Sequence, residues 1–185
     1  MKNLNKMCEV YYDNGQIMKR FNCKDNEFEG LYEDWYENGQ MWVRANYKNG
    51  KREGLYEMWD KFGILIKRIH YKDGKREGLS EEWYENGQMR ERANYKNSRL
   101  EGLYESWYEN GQKCECSYYK DNRLEGTFKR WHDNGQMMTR DNYKNGKLNG
   151  LSEGWYYNGQ MWKKAIGRTI NLTVSLKGGG TPMDR

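Results

Sequence analysis

Residues 30–54 read GLYEDWYENGQMWVRANYKNGKREG, and the glycine spacing in that stretch decides how the chain folds. Asn38-Gly39 lies between segments rich in aromatic and charged residues, and a second turn pair, Asn49-Gly50, follows eleven residues later. Outward from there the first pair recurs at Asn14-Gly15, Asn86-Gly87, Asn110-Gly111, Asn134-Gly135 and Asn158-Gly159, with Phe62-Gly63 in the remaining slot. Successive glycines are 24 residues apart without an insertion, and Gly30, Gly54, Gly78, Gly102, Gly126 and Gly150 keep the same step. Register held over seven copies marks a tandem repeat.

Asn-Gly between such segments is a hairpin signal, because a type I′ turn needs positive φ at both central residues. The intermediate pairs Asp25-Asn26, Asn49-Gly50, Asp73-Gly74, Asn97-Ser98, Asp121-Asn122 and Asn145-Gly146 also tolerate the left-handed region. A reversal about every 12 residues follows. The expected fold is all-β: an elongated single-sheet antiparallel meander of about seven 24-residue β-hairpin repeats. A two-residue turn at Asn38-Gly39 sets position 36 against 41, 35 against 42 and 33 against 44. That register predicts the opposed pairs Glu9–Arg20, Glu33–Arg44, Glu57–Arg68, Glu81–Arg92 and Glu153–Lys164, which stabilise a sheet modestly. Glu105–Cys116 and Lys129–Arg140 do not fit. The register also sets Gly30 against Tyr47, and likewise Gly54–Tyr71, Gly78–Tyr95, Gly102–Tyr119 and Gly126–Tyr143. Tyrosine covers a bare cross-strand glycine, and glycine lets the sheet bend sharply.

Strand alternation then defines two faces. One carries Leu31, Glu33, Trp35, Trp42 and Arg44, and repeats as a tryptophan ladder at Trp35, Trp59, Trp83, Trp107, Trp131 and Trp155. The other carries Tyr32, Tyr36, Met41, Ala45 and Tyr47. Neither is wholly apolar, so stacked aromatics replace a deep core and stability becomes a sum of repeat and neighbour contributions. At about 4.8 Å per strand the body is roughly 65 Å long. After Ala165 the pattern stops. The array is assigned to residues 1–165. In 166–185, Ile170, Leu172, Val174 and Leu176 alternate as a capping strand, followed by a loose glycine-rich tail.

Few aliphatic residues and 32% charge would suggest disorder, but 16 Tyr, 8 Trp and a single proline in 185 residues argue for an ordered chain. The net charge is +5. Lys163, Lys164, Arg168, Lys177 and Arg185 against Asp184 carry most of the excess, which weakens the case for a basic nucleic-acid stripe. Cys8, Cys23, Cys114 and Cys116 form no CxxC pair and read as free thiols, with no metal or cofactor expected. The absence of a long apolar run predicts neither signal peptide nor membrane span, and hence a cytoplasmic protein. For a viral chain this means the host cytoplasm. The Glu/Arg ladder reads as a solvated charge ladder, and His132 as drift from the tyrosine seen at Tyr36, Tyr84 and Tyr108. With no phosphate loop and no catalytic constellation, the chain is expected not to be an enzyme and to take no small-molecule substrate.

Units such as Gly30-Leu-Tyr-Glu-Asp-Trp-Tyr-Glu-Asn-Gly39-Gln, followed by Tyr47-Lys-Asn-Gly-Lys-Arg-Glu-Gly54, resemble MORN repeats. The variant is similar to that of bacterial antitoxin-like MORN proteins and of arrays encoded by large DNA viruses. The resemblance covers roughly residues 7–165. It implies a single-sheet hairpin array, acting as a protein-interaction module or scaffold without catalytic residues, with a protein partner along one face or end. The alternatives are anionic phospholipid or RNA held by the aromatic and basic surface, or antitoxin-like inhibition of a partner protein. Trp42 and Trp162 occupy a slot held elsewhere by Met18, Ile66, Arg90, Cys114 and Met138, so the repeat does not demand them. Tryptophan and tyrosine favour interaction hot spots, which makes Trp42 and Trp162 candidate anchors, with Tyr36, Tyr84 and Tyr108 beside them. Unpaired terminal strands would permit an end-to-end homodimer.

Overall fold

A computed structural model describes residues 6–167 and 172–174. The strands are β1 (Lys6–Tyr11), β2 (Ile17–Lys24), β3 (Glu27–Trp35), β4 (Met41–Lys48), β5 (Lys51–Trp59), β6 (Leu65–Lys72), β7 (Lys75–Trp83) and β8 (Met89–Lys96). They continue as β9 (Arg99–Trp107), β10 (Lys113–Lys120), β11 (Arg123–Leu124), β12 (Gly126–Trp131), β13 (Met137–Lys144), β14 (Lys147–Trp155), β15 (Met161–Gly167) and β16 (Leu172–Val174). All belong to one open antiparallel sheet in chain order, with the short β11 pairing β10 beside β12. No helix occurs among the described residues. Leu172 and Val174 of the expected capping strand fall in β16, where Val174 opposes Ala165. Ile170, Leu176 and the tail lie outside the described residues.

The I′ geometry expected at the Asn-Gly pairs is found instead at the intermediate turns. In the intermediate turns both central residues have positive φ, for instance 49° at Asn49 and 69° at Gly50, and Lys48 opposes Lys51. These are the two-residue I′ hairpins. At Asn38-Gly39 only the glycine is left-handed, with φ 83°. Gly39 N–H donates to the Tyr36 carbonyl at 2.9 Å and Tyr36 N–H to the Gln40 carbonyl at 2.8 Å. This is a type I turn followed by a left-handed glycine, a three-residue loop. The Asn38 side chain selects it by accepting the Gln40 N–H at 3.0 Å, an Asx-type closure that needs no positive φ at the asparagine.

The longer loop shifts the register next to it. Glu33 opposes Arg44 and Gly30 opposes Tyr47 as expected, but Trp35 opposes Met41 and not Trp42. Trp42 is left without a partner, a β-bulge. The same bulge falls at Met18, Ile66, Arg90, Cys114, Met138 and Trp162. It corrects the expected faces: Met41 joins the tryptophan face, while Trp42 lies 5.8 Å from the Tyr36 ring on the tyrosine face. A second irregularity lies where Ala45 opposes Tyr56 and Tyr47 opposes Arg52, so that one residue faces three. Gly54, at φ 78°, takes that bend.

The core is one residue wide. Phe21, Tyr32, Ala45, Tyr56, Ile69, Ser80, Ala93, Tyr104 and Ser117 oppose one another in turn across β2 to β10. The small members Ala45, Ser80, Ala93 and Ser117 are buried. Neighbouring rings close over this spine, with centroids 5.6 Å apart for Tyr32–Tyr47 and 6.0 Å for Tyr56–Tyr71. On the opposite face acids and bases alternate across the strands from Glu9 through Arg20, Glu33, Arg44, Glu57, Arg68 and Glu81 to Arg92, so that Glu33, Glu57 and Glu81 each oppose a base on both sides. The Arg44–Glu33, Arg68–Glu57 and Arg92–Glu81 pairs close at 2.9–3.1 Å. Arg20 and Arg68 also lie over Trp35 and Trp83. Alternation fails at Cys116, Lys129 and Arg140, as the two misfit pairs anticipated.

Candidate interaction surface

Most repeats are stitched to the next by side chains that recur at fixed places in the repeat. The tyrosine that opens each Asn-Gly turn donates its hydroxyl to a backbone carbonyl 23 residues on: Tyr36 to Trp59 at 3.1 Å, Tyr84 to Trp107 at 2.9 Å and Tyr108 to Trp131 at 2.7 Å. His132 Nε2 takes the same place against the Trp155 carbonyl at 3.1 Å. The turn asparagines add a parallel seam, Asn38 to the Lys61 carbonyl at 2.7 Å and Asn86 to that of Glu109 at 2.8 Å. At the other end of the strands, Glu29, Glu53, Glu77, Glu101 and Glu125 each accept the first N–H of the next I′ turn at 2.7–2.8 Å. These groups are engaged internally. The surface offered to a partner is built from what is left.

The bulge row is the most variable part of that surface. A bulge residue has no cross-strand partner, so it is released from the pairing constraint on its neighbours. Its side chains line up along the tyrosine face beside Tyr36, Tyr84 and Tyr108. Trp42, 39% exposed, and Trp162, 45% exposed, stand toward opposite ends, about 50 Å apart at ~4.8 Å per strand. The Trp162 ring covers Gly154, where a Cβ would come within 2.6 Å of it. Between the two, Met58, Ile66, Lys67, Glu82, Tyr84 and Arg90 line an open cleft of about 410 Å³. Arg90 reaches Glu82 at 3.9 Å across it. Next along the row, burial and the Cys114 thiol push the Tyr108 hydroxyl up to about 12. The structure therefore places all five candidate anchors on one face in one line. It does not bring Trp42 and Trp162 into a single patch.

The two long margins of the sheet carry different charged groups, because alternate turns fall on opposite margins. Each I′ turn after the first is flanked by two opposed cations: Lys48–Lys51, Lys72–Lys75, Lys96–Arg99, Lys120–Arg123 and Lys144–Lys147. All are exposed, and consecutive pairs line open clefts of about 520–540 Å³. In the first turn Lys24 opposes Glu27. At the opposite margin the Asn-Gly turns present Asp13, Glu37, Glu85, Glu109 and Asp133, all exposed. These cations share their turns with carboxylates: Glu29, Glu53, Glu77, Glu101 and Glu125 on the turn N–H groups, and Asp121, which lies 3.6 Å from Arg99. The cation pairs were present in the sequence as Lys or Arg on both sides of the intermediate turn pairs.

The third Asn-Gly turn departs from the rest. Asp60 replaces the tyrosine and accepts the N–H groups of Phe62 and Ile64 at 2.8 and 2.9 Å, while Phe62 replaces the asparagine and is 72% exposed. Both side-chain seams to the next repeat are missing at this turn. Among the described residues, no group of three His, Cys, Asp or Glu side chains is placed to hold a metal ion, and no helix is long and apolar enough to cross a membrane.

The MORN repeat variant family matches the chain at residues 28–49, 52–73, 76–97, 100–121 and 124–145. Each matched unit runs from one I′ turn to the next and contains one bulged hairpin. No curated protein matches the chain.

Proposed function

The chain belongs to the MORN repeat variant family, and on that premise we propose that it is a non-enzymatic scaffold whose bulge row docks a protein partner lengthwise. The family is a repeat module generally involved in binding and is itself non-enzymatic. One observation carries the reading: the constant aromatic and polar residues are engaged between repeats, whereas the bulge residues are unpaired, variable and aligned on one face. Exposed tryptophans near both ends of such a row suit the anchor residues that dominate binding energy. The test is affinity capture with tagged full-length chain at low and high salt, comparing wild type with the Trp42→Ala/Trp162→Ala double variant. A protein partner held by wild type at high salt and lost by the variant, with its unfolding midpoint unchanged, supports the reading. Equal capture by both chains, or a variant that unfolds, rejects it.

A second reading, contact with anionic phospholipid or RNA, is favoured by the five cationic pairs along the I′ margin. Binding by that route falls steeply as salt rises. It leaves the Trp42→Ala/Trp162→Ala variant unaffected.

A further inference from the structure

We infer, on the reading that a protein docks along the bulge row, that the cleft in this row is a socket for a tyrosine side chain of that partner, its ring laid against Ile66 and its hydroxyl donated to the Trp83 carbonyl. The array itself supplies the template. In neighbouring repeats the ring of Tyr36, Tyr84 or Tyr108 crosses the bulge of its own hairpin, and its hydroxyl reaches the backbone carbonyl that ends the first strand of the next repeat. Tyr36 lies 5.8 Å from its bulge residue Trp42, ring to ring. In the third hairpin Asp60 stands at that place, and its carboxylate is turned onto its own loop by the N–H groups of Phe62 and Ile64. The path that a tyrosine takes elsewhere, over Ile66 to Trp83, is open here, and both residues line the cleft of about 410 Å³. The carbonyls of Trp35, Trp59, Trp107, Trp131 and Trp155 are each met by a tyrosine hydroxyl or, once, by a histidine nitrogen. Among the described residues, no side chain meets that of Trp83.

The rest of this junction is altered in the same direction. Phe62, 72% exposed, and Ile64, 36% exposed, replace the asparagine and glutamine of the other turns. Elsewhere that glutamine covers the glycine of the following turn, as Gln88 covers Gly111 and Gln112 covers Gly135. Gly87, which follows Ile64, has nothing within 4 Å of the place a Cβ would take. Three recurring contacts between repeats are therefore absent at one junction, and two polar side chains have become apolar ones open to solvent. Exposed apolar groups at the rim of a pocket suit the burial of an aromatic anchor. Charge in the cleft then selects the form of the ring. Lys67 and Arg90 face Glu82 at 3.0 and 3.9 Å, which leaves Glu85 and Glu109 uncompensated among the described residues. A neutral phenol is accepted there, and a phenyl phosphate is repelled.

The experiment is proton–nitrogen correlation NMR of the full chain titrated with p-cresol, which is the tyrosine side chain as a free molecule. Toluene and p-cresyl phosphate serve as comparison probes. The Tyr84 amide shares a peptide group with the Trp83 carbonyl, so it reports a hydrogen bond made there. The expected result is saturable shifts centred on Ile66 and Tyr84, with the Tyr84 N–H moving downfield and a dissociation constant on the order of 1–10 mM, the range open to so small a ligand. Toluene leaves the Tyr84 amide unmoved, and the phosphate binds roughly tenfold more weakly or worse. Asp60→Tyr fills the socket from within and abolishes the p-cresol shifts, at an unfolding midpoint unchanged or raised. Tyr36→Ala opens the equivalent path one repeat earlier and gains a second p-cresol site, reported by the Asp60 amide beside the Trp59 carbonyl. No saturable shift at Tyr84 in the wild type overturns the inference, as does equal p-cresol binding by the Asp60→Tyr chain. A Tyr84 shift of the same size with toluene also overturns it, because the hydroxyl then plays no part. In affinity capture, a partner held by wild type is lost by Asp60→Tyr. Equal capture by these two chains overturns the socket and leaves docking along the bulge row standing.

Discussion

At Tyr84 one side chain serves two neighbours: the ring lines the cleft beside Arg90, and the hydroxyl holds the Trp107 carbonyl of the following repeat. Its aromatic character was legible in the sequence, and so was its candidacy as a contact. That its hydroxyl is already engaged was not, because the acceptor is a backbone atom 23 residues away. Tyrosines elsewhere on this face respond to burial. Tyr56, Tyr95, Tyr104, Tyr119 and Tyr143 are all raised above the usual phenol value of 10.0 by removal from water, as is Tyr108. The sign of the consequence is fixed. The unfolded chain ionises near pH 10 while the folded chain keeps its protons, so stability is fully present below that pH and falls as pH rises further. We expect the urea midpoint, followed by circular dichroism, to be flat up to about pH 10 and to drop steeply toward pH 12. A midpoint unchanged through that window would show that these phenols are not protected by the fold.

At the scale of the hairpin, the 24-residue period was enough to place every turn but not to say which kind of turn each was. Asn-Gly satisfies the I′ requirement, yet the asparagine side chain closes a longer loop by binding the Gln40 N–H. The extra residue of that loop becomes the bulge at Trp42, and a bulge moves a side chain to the other face. One local hydrogen bond thus decides where the candidate anchors point. The deviant turn at Asp60–Ile64 tests the seams. Asp60→Tyr with Phe62→Asn restores a hydroxyl donor toward the Trp83 carbonyl and an amide donor toward that of Glu85. With each net hydrogen bond contributing about 0.5–1.5 kcal/mol, the double variant should gain about 1–2 kcal/mol in urea unfolding. Loss of stability instead would mean that the neighbouring repeats are spaced differently here.

For the molecule as a whole, backbone pairing joins only neighbouring strands and the side-chain seams only neighbouring repeats, so length is adjustable in units of one repeat. Deleting residues 76–99 joins Lys75 to Leu100 in phase and keeps an acid, Glu105, opposite Arg68. The shortened chain should fold cooperatively, unfold at a lower urea concentration and lose about 10 Å of length in solution scattering. A chain that fails to fold would show that the array depends on contacts beyond nearest neighbours.

The sequence by itself determined the hairpin meander, the repeat length, the cross-strand Glu–Arg and Gly–Tyr pairs and the family, because each depends on period and on residues near one another in the chain. Only the tertiary structure decided the bulge, the face on which Trp42 and Trp162 stand and the seams between repeats. The seams depend on hydrogen bonds 20–23 residues long, and the bulge on an asparagine side chain that closes its own turn, a closure the Asn-Gly pair does not distinguish from a I′ turn.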